Sequence, residues 1–150
     1  YRRGMYTFIK RTVPPPSMMM FDGSNRDECQ VTRYRTNTPL QALIMLNDPT
    51  VLEASKALAD KLLQQQAGTN TLVEKAFRSI LCRQASTKEI ETLVSFYEET
   101  KKELTKDKKK AATLIEPGTY KIRTKQIVDL AAAMQTIQVI YNMQEAITKT

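Results

Sequence analysis

The sequence predicts an all-α protein: a multi-helix bundle of about five to six helices, preceded by an extended, proline-containing N-terminal arm. Apolar residues recur at three- and four-residue spacing almost throughout the chain after Thr38, as on the buried face of a helix. Helix-start signals precede several of these runs, and the connections between them are short. No segment alternates polar and apolar residues for long enough to predict a strand. We therefore divide the chain into an arm, residues 1–38, and a helical domain, residues 39–150.

The arm is predicted to combine a short helix over residues 3–10 with an irregular segment. Three consecutive prolines, Pro14 to Pro16, lack backbone donors and favour an extended course. A run of three methionines and the turn-forming sequence Asp-Gly-Ser-Asn follow them. The methionine run is interpreted as an anchor for this loop rather than as a soft-metal site, because three adjacent side chains point in different directions.

The segment RTNTPLQALIMLNDPT, residues 35–50, contains two helix starts in close succession. Thr38 is a predicted N-cap, with Pro39 at the first helical position and Gln41 closing a capping box. Asp48 is a predicted cap for a second helix that begins at Pro49, so the two helices are expected to meet at a sharp corner. The spacing of the apolar residues predicts that Leu43 and Leu58 are buried.

Four further helices follow from the same signals. Asn70 or Thr71 opens a helix with Glu74 in the capping-box position, and Ser86 with Glu89 opens the next. Residues 108–115 are expected to form a short helix, and residues 124–142 the last one. The predicted core residues of this last helix are Ile127, Leu130, Ala131, Met134, Ile137, Ile140 and Tyr141.

The composition excludes several chemistries. The chain has 150 residues and no histidine, which excludes Ser-His-Asp and Cys-His catalysis, imidazole zinc sites and C-x-x-C-H haem attachment within it. Its four glycines form no phosphate-binding loop. Cys29 and Cys82 could form one disulfide, but we favour two unpaired, buried thiols. The sequence therefore predicts no catalytic constellation and no metal site in this chain.

The net charge of +7 raises the question of nucleic-acid binding. The basic residues are dispersed along the chain, however, and the cluster KKELTKDKKK at 101–110 contains acidic residues as well. This pattern is typical of the solvated face of a helix. The charge pattern therefore argues against a nucleic-acid-binding site, and any such binding is expected to be weak and non-specific.

One candidate binding site lies in the arm, immediately before a predicted helix start. It comprises Arg26, Arg33, Arg35 and Asn37, whose guanidinium and amide groups suit a carboxylate, sulfate or phosphate. In the alternative interpretation, which we favour, these arginines brace the arm by hydrogen-bonding carbonyls and the nearby acids.

Two long motifs in the first third of the chain carry a family resemblance. The runs MYTFIKRTVPPPSMMMFD at 5–22 and NRDECQVTRYRTNTPLQALIMLNDP at 25–49 closely resemble the C-terminal domain of unknown function of planctomycete-type cytochrome c proteins. The ending IQVIYNMQEAITKT is similar to that family's C-terminal helix and tail. In departure from the family pattern, Cys82 replaces a common glycine and Ala146 a common aromatic residue.

The resemblance implies a structural or interaction module at the C-terminus of a multidomain protein that is secreted, periplasmic or associated with the cell envelope. It implies that this module packs on an upstream domain of the same polypeptide, and that any haem belongs to an upstream cytochrome c domain. This chain itself is expected to hold no cofactor, to span no membrane, and to bind at most an acidic or polysaccharide ligand. As the alternative, the arginine-lined arm completes an enzyme active site with upstream domains.

Overall fold

The structure is a computed structural model that describes residues 6–10, 12–23, 31–32, 36–65 and 68–148. Within these ranges it contains no strand, only an isolated bridge between Lys10 and Val13. The predicted all-α class and helical bundle are confirmed. The helices are α1 (Pro16–Met20), α2 (Pro39–Asn47), α3 (Pro49–Gln64), α4 (Thr69–Leu81), α5 (Thr87–Lys106), α6 (Lys108–Ile115), α7 (Ile127–Tyr141) and α8 (Gln144–Ile147).

Six of these eight helices are the ones that the sequence predicts, and the two short ones, α1 and α8, are additional. Helix α1 begins at Pro16, which occupies its first turn instead of continuing an extended stretch. Residues 6–10 contain no α-helix, so the helix expected over residues 3–10 does not form in this part, and residues 3–5 lie outside the described ranges. The described helix of the arm begins at the last of the three prolines.

The chain separates into two compact units, a first unit of Tyr1–Ile44 and a second unit of Met45–Thr150. Helix α2 runs across the division between them. The predicted angle between α2 and α3 lies at this division and stays a prediction.

The two helix starts of residues 35–50 form as the sequence predicts. The backbone N–H of Thr38 donates to Gln41 Oε1 at 3.1 Å, and that of Gln41 donates to Thr38 Oγ1 at 3.4 Å, which completes the capping box. At α3, Thr50 N donates to Asp48 Oδ1 at 2.7 Å. Each cap supplies an acceptor to an N–H group that has no partner inside its helix.

The starts of the later helices follow the prediction in part. Ser86 and Glu89 form the expected capping box of α5. Helix α4 begins at Thr69 after Gly68 and has no side-chain cap, so the predicted box with Glu74 does not form. Asp107, which the sequence reading did not single out, caps α6 by accepting from two backbone N–H groups.

Helix α7 is the centre of the second unit. It contacts α3, α4, α5, α6 and α8, and it is buried on nearly every side. A helix that is apolar around its circumference is stable only when it is enclosed, which explains this central position. Its buried residues are Leu130, Ala131, Ala132, Ala133, Met134, Thr136, Ile137 and Ile140.

The first unit contrasts with this apolar core, since its only buried residue among those described is Gln41. Leu43 was expected to be buried, and this prediction is wrong, because the residue is 56% exposed. Leu58 of α3 is half-buried rather than fully buried. The cause at Leu43 is the composition of α2: apolar residues lie around most of the helix, so their spacing does not select one buried face.

Candidate functional site

The arm motif builds a polar network within the first unit. The carboxylate of Asp22 accepts hydrogen bonds from Thr36, from the backbone N–H at 2.8 Å and from the hydroxyl at 2.8 and 2.9 Å. Asp22 adopts a left-handed backbone conformation with φ 56°, which aspartate tolerates better than most residues. These bonds bring together two positions that are fourteen residues apart in sequence.

Gln41 joins this network to the start of α2. Its side-chain amide donates to the Met20 carbonyl at 2.8 Å and to Thr36 Oγ1 at 3.0 Å, while its amide oxygen accepts from Thr38. Gln41 is almost completely buried, so its side-chain amide has to find hydrogen-bond partners within the protein. The three partners named above supply them. The glutamine of the motif is therefore a structural centre of the first unit as well as a capping residue.

The predicted anion site is placed only in part. Arg26, Arg33 and Arg35 lie outside the described residues. Asn37 is exposed and immediately precedes the cap residue Thr38. The described contact closest to this site in sequence is the pairing of Asp22 with Thr36, which flanks the three arginines on both sides. Of the methionine run, Met19 and Met20 are exposed, so the expected anchoring contact is limited to the half-buried Met18.

A second polar site lies along the inner face of α3, where Glu53, Lys56 and Asp60 are buried. The sequence does not predict buried acidic residues in this helix, yet Glu53 and Asp60 are buried. All three residues contact the segment that connects α6 to α7, residues 116–126. Their spacing of three and four residues places them in one row on the helix.

Asp60 holds the far end of this connecting segment. Its carboxylate accepts from the backbone N–H of Thr124 at 2.9 Å, from that of Arg123 at 3.2 Å and from the hydroxyl of Tyr120 at 3.0 Å. Gln64, one turn along α3, also donates to it. Burial and this bond to Asp60 raise the pKa of the Tyr120 hydroxyl above its ordinary value. The buried carboxylate is thus fully used by hydrogen bonds to the protein itself.

Lys56 and Glu53 hold the near end. The Lys56 ammonium donates to the carbonyls of Ile115 and Pro117, the first at 3.1 Å. Glu53 accepts from the hydroxyl of Thr119 at 3.2 Å. Its carboxylate lies so close to Gly118 that an added Cβ would be 2.5 Å from Glu53 Oε2, and Gly118 has a φ of 89°. Glycine is required here by both the close approach and the backbone conformation.

The sequence signal for this row is its spacing alone. Glu53, Lys56 and Asp60 recur three and four residues apart, which places them on one side of α3. The same spacing is common in ion pairs on exposed helix faces, so it does not distinguish a buried row from a solvated one. A periodicity count that considers only apolar residues omits these three.

Arg83 forms a third polar cluster after α4. Its guanidinium binds Glu89 and Glu145, each at 2.7 Å, and lies 4.7 Å from the centre of the Phe77 ring. The bond from Arg83, with further bonds from Ser86, lowers the pKa of the Glu89 carboxyl to about 2. Since the groups are partly exposed, this cluster fixes α8 against the start of α5 without a large energetic contribution.

Cys82 is a free and exposed thiol, so the expectation that it is buried is wrong. Cys29, the other cysteine of that expectation, lies outside the described residues. It ends α4 in a left-handed conformation with φ 57°. Glycine is the residue that adopts this conformation without strain at a helix end. A cysteine at this position therefore carries backbone strain that a glycine would avoid.

The surface of the second unit carries two grooves, of about 360 and 420 Å³, beside α4. Lys75 and Arg78 line both, and Lys75 donates to Gln65 at 2.7 Å. Across the residues that the structure describes, no group of three His, Cys, Asp or Glu side chains is placed to hold a metal ion. No helix in the same ranges combines the length and apolarity needed to cross a membrane.

The described residues thus define a helical module in which buried charged side chains hold the protein's own backbone. The chain belongs to the PSD1 family, described as "Protein of unknown function (DUF1553)", whose sequence profile matches residues 1–97. The match ends within α5, whereas the sequence resemblance noted above extends to the last helix. Comparisons with curated proteins and with solved structures gave no match.

Proposed function

We propose that this chain is an interaction module whose first unit packs, through exposed apolar side chains, on an upstream domain of the same polypeptide. The observation that supports this proposal is the lack of an apolar core among the described residues of the first unit. Tyr6 and Phe8 are 68% and 84% exposed, and Leu43 is 56% exposed. Val13, Met19, Met20, Val31 and Leu40 are exposed as well.

Exposed apolar residues in such number are unusual on a surface that stays in water. Single exposed apolar residues are normal, but a concentration of large ones marks a surface that another partner covers. The second unit differs, since its buried apolar residues form one contiguous cluster. The proposed contact therefore supplies the first unit with the apolar burial that its described residues do not provide.

The family resemblance supplies the proposed context. On this proposal the polypeptide is secreted, periplasmic or envelope-associated, and a cytochrome c domain upstream of this chain carries any haem. The module contributes shape and contact surface, and electron transfer belongs to the haem domain.

The experiment uses the upstream domain and this chain as separate proteins and measures their affinity by calorimetry. Leu43→Asp should weaken binding by about tenfold or more, because it places a charge in an apolar contact. Val139→Asp is the matched control, since Val139 is also an exposed apolar helix residue, but of the second unit. Equal weakening by both variants, or no binding by the unmodified chain, would contradict the proposal.

A second candidate function is anion binding by Arg26, Arg33, Arg35 and Asn37. The observation that favours it is the hydrogen bonding of Thr36 to Asp22, since these two described residues flank the three arginines in sequence and Thr36 directly precedes Asn37. Guanidinium and amide groups suit sulfate, phosphate or the carboxylates of an acidic or polysaccharide ligand.

Its test is a titration with inorganic sulfate and with inorganic phosphate. The triple variant Arg26→Ala, Arg33→Ala, Arg35→Ala should abolish binding, whereas Arg2→Ala, Arg3→Ala, Lys10→Ala removes the same charge from the same arm and should preserve it. An equal loss in both variants would show a net-charge effect and no site. If Asn37→Ala removes an activity of the longer polypeptide while sulfate still binds, the enzymatic alternative is supported instead.

A further inference from the structure

We propose that one end of the second unit docks by charge on a lipid bilayer that contains anionic lipids. The surface consists of every lysine and arginine of residues 101–125, and we call it the basic pole. These residues belong to the last turns of α5, the first turn of α6 and the segment that precedes α7. The proposal concerns the second unit alone and does not depend on the function proposed for the first unit.

The net charge of the chain is concentrated in the basic pole. Residues 101–125 contain nine lysine or arginine residues and three acidic ones, a net charge of +6 out of the +7 of the whole chain. All nine basic residues are exposed, and Lys101 is the one among them that forms an ion pair with another described residue. The rest of the chain is nearly neutral, so its field is strongly one-sided, and an anionic surface attracts the positive side.

The fold brings the parts of the basic pole to one end of the unit. Lys101, near the end of α5, pairs with Asp129 in the first turn of α7. At the other end of these helices, Arg83 joins Glu89 in the first turn of α5 to Glu145 of α8, which follows α7. Helices α5 and α7 are therefore antiparallel. The end of α5, the start of α6 and the segment that precedes α7 consequently lie at the same end of the unit.

The start of α6 indicates a role for these cations other than stabilising the fold. Lys108, Lys109 and Lys110 occupy its first turn, which contains no acidic residue. Cations are unfavourable there, because they meet the positive end of the helix dipole, although Asp107 caps the same end by accepting from two backbone N–H groups. Departures from such local rules are expected at functional sites, where binding requires the residues that the fold disfavours.

The composition of the basic pole favours a lipid surface over nucleic acid. Eight of its nine cations are lysines, whose flexible ammonium groups suit diffuse attraction, whereas arginine suits phosphates held in a fixed geometry. Single-stranded nucleic acid also requires free aromatic rings, and the one aromatic residue of this range, Tyr120, is half-buried and bonded to Asp60. Duplex phosphates are often bound by helix N-termini, but the carboxylate of Asp107 occupies that position at α6.

The basic pole is expected to contact lipid headgroups without entering the bilayer. Among the residues described between 101 and 127, Ile127 is the one large apolar side chain that is exposed, at 37%. Each lysine or arginine near an anionic bilayer strengthens binding by about fivefold, so several together suffice without apolar insertion. Because the attraction is screened within about 10 Å at 0.1 M salt, binding should be lost as the salt concentration rises.

The experiment measures co-sedimentation of the chain with vesicles of phosphatidylcholine that contain about one-third phosphatidylglycerol, and with vesicles of phosphatidylcholine alone. We expect binding to the anionic vesicles at about 0.1 M salt, its loss at about 0.5 M salt, and no binding to the neutral vesicles. The triple variant Lys108→Gln, Lys109→Gln, Lys110→Gln should weaken binding about tenfold or more. Its Tm should be unchanged or higher, because it removes cations from a helix start, so weaker binding would not result from unfolding.

The matched control Lys75→Gln, Arg78→Gln, Lys88→Gln removes the same charge from exposed residues of α4 and of the start of α5, outside the basic pole. It should weaken binding less than about threefold, and Ile127→Ser less than about twofold. Equal losses in the two triple variants, or equal binding to anionic and neutral vesicles, would overturn the proposal. Tighter binding of duplex DNA than of the anionic vesicles at the same salt concentration would overturn it in favour of nucleic acid.

Discussion

The two units of this protein are stabilised by different kinds of contact. The second unit encloses α7 in a cluster of buried apolar side chains contributed by α3 to α7. In the first unit, the described residues are joined by hydrogen bonds among Asp22, Thr36, Thr38 and Gln41, and Gln41 alone is buried. Apolar burial is the main favourable term in folding, whereas a hydrogen bond contributes about 1 kcal/mol net.

The comparison shows that the residues of a family-specific sequence motif need not be the residues of the stable apolar core. Among the described residues of the motif, polar and therefore directional contacts join Asp22, Thr36 and Gln41. On our proposal, a partner covers the exposed apolar residues of the same unit. The second unit shows the reverse arrangement, since its buried charges on α3 anchor a connecting segment onto a core that apolar residues already stabilise.

The largest difference between the units is expected for the same substitution made in each. Phe77→Ala removes a fully buried ring from the core and should lower the free energy of unfolding by about 3–5 kcal/mol. Phe8→Ala removes a ring that is 84% exposed and should change it by less than about 0.5 kcal/mol. Urea denaturation followed by circular dichroism measures both values, and a comparable loss in the two variants would erase the distinction between the units.

An intermediate effect is expected at Gln41. Gln41→Leu keeps the side-chain size but leaves the Met20 carbonyl and the Thr38 N–H without partners, which should cost about 1–3 kcal/mol locally. Hydrogen exchange at the amides of Thr36 and Thr38 should accelerate accordingly, while the amides of α7 keep their protection. Gln144→Leu, on the exposed start of α8, is the control. Unchanged exchange at Thr36 in the Gln41 variant would show that the network does not hold the first unit.

A stabilising change is expected at the end of α4. Cys82→Gly should raise the free energy of unfolding by about 1 kcal/mol, because glycine adopts the left-handed conformation of this position without strain. Cys82→Ala keeps a Cβ atom and serves as the control that separates backbone strain from loss of the thiol. The comparison is made by thermal melts of the reduced protein, and an equal gain from both variants would exclude the strain argument.

The smallest effect is expected from the surface cluster around Arg83. The pKa of Glu89 is about 2 in the folded protein, mainly because Arg83 binds it, and that of an unfolded glutamate is about 4.3. Stability from this group is therefore fully present above about pH 4.3 and is lost as the pH falls through about 2. The difference in unfolding free energy between the protein and Glu89→Gln should disappear over this interval. Glu91→Gln, an exposed change on the same helix, should show no such pH dependence.

The sequence is sufficient to predict the longer helices of the second unit, α3 to α7, because their signals are local. The N-cap at Asp48 and the capping box of Ser86 and Glu89 each involve residues only two or three positions apart. Helix α7 is recognisable because apolar residues predominate along its whole length. The anchors on α3 are not predictable in this way. Asp60 binds Thr124, which is 64 residues distant in sequence, and no local pattern specifies which backbone groups a buried carboxylate meets.

The candidate sites show the same limit. Thr38 and Gln41 are recognisable as a capping box, yet the further bonds of Gln41 to Met20 and Thr36 depend on how the arm returns to the start of α2. The predicted burial of Leu43 is wrong because apolar residues lie on most sides of α2. Such a pattern indicates that the helix has a buried face but does not show which residues lie on it.

We propose that the first unit depends on a partner for its apolar burial and that the second unit does not. Hydrogen exchange followed by mass spectrometry tests it most directly, first on this chain and then on the chain bound to the upstream domain. We expect the amides of α7 to be strongly protected in both samples, and those of residues 36–44 to be weakly protected in the chain and at least about tenfold better protected in the complex. Equal protection of residues 36–44 in the two samples would contradict the account.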